Sequence, residues 1–362
     1  MKTIFIHLLN DFSGSTKVLS DIVDFHKDRK MSFDLMYGKN GDGFLNHKSK
    51  DKNLFFYRRS NIRLVTLIYY FVSQVILFFK MFKYYRINCV IYVNTMLSFG
   101  PALAGKIMGK DVIFHVHETS LKPEFLKIFL KFIIKCTAKK IIYVSQYLKE
   151  KEPIKNVTSR VIYNSLPSSF IEKSNNYSNR YEQNAPFFNV TMACSLKEYK
   201  GVKEFLKVAN ICSSKENINF ILILNADTDE IDSYFSSVEK PSNITFYPKQ
   251  PDLIPFYENS NLVLNLSRVD QWVETFGLTI LEAMTFGIPV IAPPVGGPKE
   301  IVRNKVDGYL ISSYETDEIA KKIIFLATDI NQYRRMSINS RQRSKDFDPT
   351  VFQNSILNLI ES

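Results

Sequence analysis

Twelve short, mostly apolar runs punctuate the 362 residues of this chain. Six lie at 3–9, 33–37, 89–93, 112–116, 141–144 and 160–163, and six more at 189–193, 219–224, 245–247, 262–266, 289–292 and 309–311. Most are continuous rather than alternating, as in strands covered on both faces of a parallel sheet. Helix-length stretches separate them, which restricts the chain to a layered α/β fold. The run EKSNNYSNRYEQNAP is polar, rich in Asn and Ser, and ends in Pro, so it reads as a linker. The expected organisation is an N-terminal domain over 1–171, a linker over 172–186, a second α/β domain over 187–345 and a helix over 346–362 able to pack back on the first domain. Paired domains of this kind usually leave a cleft at the carboxyl ends of their strands.

Charge divides the two halves. Residues 1–180 carry 29 Lys/Arg against 13 Asp/Glu, and the rest carry 18 against 23, within a net charge of +11. One half is therefore suited to an anionic surface. KPEFLKIFLKFIIKCTAKK reads as a basic amphipathic helix in which Lys127, Lys131, Lys135 and Lys139 recur every four residues. That stripe is the expected contact with an anionic membrane leaflet. Nucleic acid is not an expected partner, because no recognition motif accompanies the charge. The uncharged run LVTLIYYFVSQVILFF, at 64–79, is shorter than the roughly 20 residues a bilayer span needs, and it contains Thr66, Ser73 and Gln74. A helix buried against the first sheet is expected there, with an interfacial helix as the alternative. Four scattered cysteines and an N-terminus without a small-residue cleavage site point to a reducing, cytoplasmic setting.

The densest chemistry is in VETFGLTILEAMTFGIPVIAPPVGG, from 273 to 297. Glu274 falls in a loop and Glu282 in a helix that Gly287 and Pro289 terminate. The N–H groups of Phe276, Gly277 and Leu278 open that helix and, with its dipole, suit a phosphate. On one continuous helix the two glutamates would lie roughly 80° apart, so dividing them between loop and helix lets both face one ligand. The arrangement reads as diphosphate on the amides, ribose on Glu282 and sugar hydroxyls near Glu274.

WVETFGLTILEAMTFGIPVIAPPVGGPKEIVRNKVDGYLI resembles the signature of the retaining GT-B glycosyltransferases of family 4, with Glu274, Glu282, Gly287, Pro289, Gly296, Gly297, Glu300 and Gly308 in register. SGSTKVL at Gly14, HVHET at His117 and Glu118, VIYNS at Asn164 and SLKEYKGV at Lys200 and Gly201 resemble its other landmarks, in order along nearly the whole chain. The resemblance implies two Rossmann-like domains facing a central cleft. It implies transfer of a sugar, with retention, from a nucleotide diphosphate sugar to a saccharide acceptor. A lipid-linked acceptor in bacterial surface polysaccharide synthesis, at the inner face of the cell membrane, fits the basic half.

By the same resemblance Lys200 is the main cation on the diphosphate and the Gly277 and Leu278 amides add donors. Glu282 holds the ribose, Glu274 and His117 contact the transferred sugar, and Gly14 lets the first loop close. No metal or other cofactor is expected, since Lys200 and the amides neutralise the diphosphate. Ser195 stands where the family often has Arg, with Lys197 as a partial substitute, and Ser165 and Glu118 replace the usual Gly and Asp. Two alternatives stay open: a nucleotide-sugar epimerase of the same fold, and a non-catalytic nucleotide-sugar-binding subunit marked by Ser195. Trp272 is read either as stacking on a ligand or as packing.

Overall fold

The computed structural model describes residues 1–48, 53–119, 121–176 and 187–362. They form two compact units, one from 1–164 with 350–362 and one from 165–349.

The first unit alternates β1 (Lys2–His7), α1 (Gly14–Asp28), β2 (Phe33–Tyr37), α2 (Arg63–Met81), β3 (Cys89–Asn94), α3 (Phe99–Ile107), β4 (Asp111–Val116), α4 (Glu124–Thr137), β5 (Lys140–Tyr143), α5 (Gln146–Lys151) and β6 (Thr158–Val161). Its sheet runs β2-β1-β3-β4-β5-β6, all parallel. The core is laid down by strand residues such as Phe5, Ile91, Tyr92 and Phe114, none of them exposed. Strand order reverses beside β1, which places the carboxyl ends of β1 and β3 at the topological switch point where α/β sheets bind ligands, with β4 next to β3.

The second unit follows with α6 (Ser168–Asn175), β7 (Phe188–Cys194), α7 (Val202–Ile211), β8 (Ile218–Leu224), α8 (Thr228–Tyr234), β9 (Ile244–Tyr247), α9 (Ile254–Glu258), β10 (Leu262–Leu264), α10 (Leu278–Thr285), β11 (Val290–Ala292), α11 (Pro298–Ile301), β12 (Gly308–Leu310), α12 (Thr316–Thr328) and α13 (Ile330–Ser344). Its parallel sheet runs β12-β11-β10-β7-β8-β9. The closing helix α14 (Pro349–Glu361) lies almost wholly in the first unit, where Lys140 Nζ donates to the Leu359 carbonyl at 2.9 Å.

Each expected strand is present, with ends displaced by no more than two residues. Three expectations need correction. Residues 172–175 are the last turn of α6, not linker, and 177–186 lie outside the described residues. Helix α2 is not buried. It is long and apolar enough to cross a membrane by length and composition, but only 28% of its apolar window is covered. Its covered side holds Ser73 and Gln74, both fully buried, together with Tyr70, Leu77 and Met81.

The lysine stripe is also not a free basic face. Lys127 and Lys131 of α4 both pair with the buried Glu152, at 2.5 and 3.2 Å. Lys139, beyond the helix end, pairs with Asp111 at 2.7 Å. Glu152 lies just past α5, so the two lysines that share a flank of α4 turn towards it and away from solvent.

Candidate active site

In the second unit, Lys200 sits in a 3₁₀ turn that leads into α7. Gly201 follows with φ +79°, and a Cβ there would lie 2.1 Å from the Leu266 carbonyl oxygen. Only glycine fits so close to the chain leaving β10, and the contact fixes where the Lys200 side chain emerges. Across from it, the loop after β10 carries Glu274. Gly296, at φ +74°, and Gly297 form the seat under that loop. The Gly297 N–H donates to the Glu274 carbonyl at 2.9 Å, and a Cβ on Gly296 would meet the same carbonyl at 2.3 Å. The Gly-Gly pair thus acts by holding the glutamate's backbone.

These two loops bring Lys200 Nζ onto Glu274 Oε1 as an ion pair. Ser267 Oγ also donates to Oε1, at 2.9 Å. Burial pushes the Glu274 carboxyl up, but Lys200 and the hydrogen bonds from Ser267 and Asn265 outweigh it and leave the group below the ordinary range. The Glu274 carboxyl is therefore ionised at neutral pH. Trp272 stacks on Tyr199 at 5.0 Å and 20°, with Lys200 Nζ 5.3 Å from its ring centroid, so it packs as the wall of the lysine.

Gly277, at φ +114°, caps α10 with no side chain on the first amides. The N–H groups at that end have no intrahelical partner, as at any helix start. Phe276 is buried and its ring packs edge-on to Phe347. Glu282 lies one turn into the helix and accepts from Tyr257 Oη at 2.7 Å. Tyr257, on α9, is a residue that the sequence does not flag, because only the fold brings it to Glu282.

Ser195 and Lys197 follow β7. They line a cavity of about 580 Å³ together with Asn225, Asp229 and Tyr234. Lys197 is exposed and makes no ion pair among the described residues. A second nearby cation, Arg268, is committed: its guanidinium binds Glu204 at 2.8 Å. Asp-x-Asp triplets, the pattern that holds metal in the other main glycosyltransferase fold, do occur at 227–229 and 346–348. Asp227 caps α8 by accepting from Glu230 N–H at 2.8 Å, and Asp346 pairs with Arg343 at 2.7 Å. One carboxylate of each triplet therefore has a helix-end partner.

The first unit gathers a buried polar chain at the switch point. His117 donates from Nε2 to Asn94 Oδ1 at 3.0 Å. The Asn94 amide nitrogen reaches the Ser15 carbonyl at 3.1 Å, which fixes the amide's orientation and leaves His117 Nδ1 as an acceptor. His7 continues the chain, from the Asn94 backbone carbonyl at Nδ1 to Thr16 Oγ1 at Nε2, both 3.0 Å. Thr16 in turn donates to Asp11 Oδ1 at 2.7 Å. Burial, then the neighbouring His115 and His7, hold His117 well below its usual pKa, so the imidazole is neutral. The His115 ring lies 4.2 Å from it, tilted at 45°, and its Nδ1 is held by Tyr92 Oη at 2.8 Å. Glu118 takes the amides of Met96 and His117 and is pushed by burial up to about 7. Gly14 is not in a mobile-looking loop but is the first residue of α1, behind Ser13 and Asp11.

Comparison with known proteins sets this geometry beside glycosyltransferases. Residues 175–343 match the family model described as Glycosyl transferases group 1. That match covers just under half of the chain. An uncharacterized glycosyltransferase of Haemophilus influenzae is 25% identical over 222 residues, 60% of each chain. The N-acetyl-alpha-D-glucosaminyl L-malate synthase of Bacillus anthracis is 30% identical over 144 residues, 39% of this chain and 35% of that one. The aligned regions thus span less than two thirds of these relatives. Anabaena HepE, solved with UDP and glucose, superposes over all of both chains with a TM-score of 0.78 at 21% identity. The fold is the GT-B architecture of two six-stranded parallel α/β units.

Proposed function

We propose that this protein is a retaining glycosyltransferase that moves a sugar from a nucleotide diphosphate sugar to a saccharide acceptor. The Lys200–Glu274 pair beside the uncapped α10 N-terminus carries the reading. A lysine that is already partly desolvated and held against a carboxylate is poised to accept diphosphate charge as the glycosidic bond lengthens. The Gly277 and Leu278 amides add fixed donors for the leaving group. Lys197 supplies the second positive charge where Arg is replaced by Ser195. Glu274, partly released as Lys200 engages phosphate, accepts from hydroxyls of the transferred sugar.

Glu282 accepts from the ribose, oriented by Tyr257. Neutral His117, presenting Nδ1, accepts a hydrogen bond from the sugar. Attack on the same face, assisted by the leaving phosphate, accounts for retention without a covalent nucleophile. The charge balance at Lys200 and the amides needs no resident metal. The acceptor we assign is a lipid-linked saccharide of a surface polysaccharide, met at the cytoplasmic face of the membrane. The positive N-terminal half and the exposed apolar α2 support this.

The test is incubation with a panel of nucleotide sugars and saccharide or lipid-linked acceptors, with product anomeric configuration read by NMR. UDP-glucose comes first, since HepE was solved with UDP and glucose. An α-linked product from an α-linked donor is expected. An inverted product would refute retention, an epimerised donor would favour the epimerase, and tight binding without transfer or hydrolysis would favour a binding subunit.

A further inference from the structure

We propose that the outer face of α2, α3 and α4 inserts into the interfacial region of an anionic lipid bilayer. This rests on the membrane-side acceptor reading, and it replaces the α4 lysine stripe with a different surface. Along α2, Leu64, Ile68, Val75 and Phe79 are 66%, 53%, 56% and 67% exposed, at intervals of four and seven that keep them on one side. On α4, Phe125, Ile128 and Phe132 are 61%, 62% and 61% exposed in the same manner.

The helices make one surface. Phe99 of α3 contacts Phe71 of α2, with ring centroids 5.9 Å apart, and Phe129 of α4 at 5.2 Å. Helices α2 and α3 lie so close that a Cβ on Gly100 would come within 2.1 Å of the Gln74 carbonyl oxygen. A contiguous aliphatic and aromatic face of this extent is unusual on a soluble surface and marks an interaction site.

The inner side of α2 decides between lying on a membrane and crossing it. Gln74 Oε1 accepts from Gly100 N–H at 3.1 Å and Tyr70 Oη donates to the Leu97 carbonyl at 2.6 Å. That side is committed to the protein, so the helix can offer only its outer half to lipid.

Charge selects the partner. Between residues 53 and 110 there is no Asp or Glu, and residues 53–140 hold 14 Lys/Arg against three acids, a net +11 equal to that of the whole chain. Arg58, Arg59 and Arg63 are exposed at the start of α2, Arg86 lies beyond its end, and Lys135 is exposed on α4. An apolar face bounded by exposed cations that form no ion pair among the described residues matches acyl chains beneath anionic headgroups.

The experiment is flotation of the full chain on vesicles of phosphatidylglycerol with phosphatidylcholine, and of phosphatidylcholine alone. The variants are Val75→Glu with Phe132→Glu, and Lys127→Gln with Lys131→Gln. Wild type should float with the anionic vesicles. The glutamate pair should weaken binding by about tenfold or more, while the lysine pair, already neutralised by Glu152, should change it less. Phe79→Trp should shift its emission to the blue on vesicles and be quenched by brominated lipid, and retained cooperative unfolding shows that the variants fold. If wild type floats and the glutamate pair floats equally, this face is wrong although the membrane reading stands. If wild type floats on neither vesicle, the membrane reading fails and the inference with it. Self-association through this face without vesicle binding also overturns it.

Discussion

Replacing Lys200 with Ala should lower stability and activity in ways that a second substitution separates. The Lys200 and Glu274 side chains are 17% and 18% exposed. Without Lys200, the carboxylate keeps the hydrogen bonds from Ser267 and Asn265 but no counter-charge. Breaking a fully buried pair costs about 3–5 kcal/mol, and the residual exposure and two remaining donors reduce this to about 2–3 kcal/mol. For a unit of this size that is a Tm decrease of roughly 5–10 °C. Loss of the charge-assisted contact to diphosphate should lower kcat/KM by about a hundredfold or more.

Lys200→Ala with Glu274→Gln removes the stranded charge. Most of the stability should return and none of the activity. The pH dependence should also change sign. In the wild type the folded carboxyl lies below its ordinary pKa, so the pair stabilises above about 4.5 and the contribution is lost as pH falls through the folded value. In Lys200→Ala burial dominates, the folded pKa lies above the ordinary value, and the deficit grows as pH rises through it. The assay is Tm at pH 5 and pH 8 for the three proteins, with turnover alongside. A single mutant whose deficit is the same at both pH values, or a double mutant that regains turnover, would refute the reasoning.

Glu118→Gln should raise Tm at pH 8 and leave it nearly unchanged at pH 4. The native carboxyl is raised to about 7, so its contribution is full below about 4.5 and is lost as pH rises through 7, by about 3 kcal/mol at most. A pH–Tm profile parallel to wild type would contradict this. Gly201→Ala forces a side chain into φ +79° and against the Leu266 carbonyl, and should lower stability by about 2–4 kcal/mol in a denaturant titration. A wild-type midpoint would mean that the turn is not the anchor of Lys200. Glu282→Ala should weaken nucleotide binding in a calorimetric titration by about tenfold or more, and Tyr257→Phe by a few-fold, because Phe keeps the packing but removes the hydroxyl's hydrogen bond to the carboxylate. Unchanged affinity in both removes Glu282 from the ribose site.

The strands were legible because sheets covered on both faces demand continuous apolar runs, and their ends moved by a residue or two because neighbouring strands set the ladder. Lys200 and Glu274 were both legible as motif residues. Their pairing was not, since it depends on β10 lying beside β7, 74 positions away in sequence. The same holds for the chain from His117 through Asn94 to His7, which spans separate strands. Gly296 and Gly297 could be seen, but not that they seat the Glu274 backbone. The misreadings share a cause. Periodicity shows that α2 and α4 have faces but not which face is covered. In α2 the side holding Ser73, Gln74 and Leu77 turned inward, and in α4 a single buried Glu152 drew two lysines of the stripe to itself.

The central claim is that the second unit binds a nucleoside diphosphate through Lys200. A thermal-shift titration of wild type and Lys200→Ala with UDP, GDP, dTDP and CMP, and with their sugar conjugates, tests it most directly. At about a hundred times its dissociation constant, one nucleotide should stabilise the wild type by about 2.7 kcal/mol, and the variant should show little of that shift. No shift in the wild type at millimolar ligand, or an equal shift in Lys200→Ala, would contradict the account.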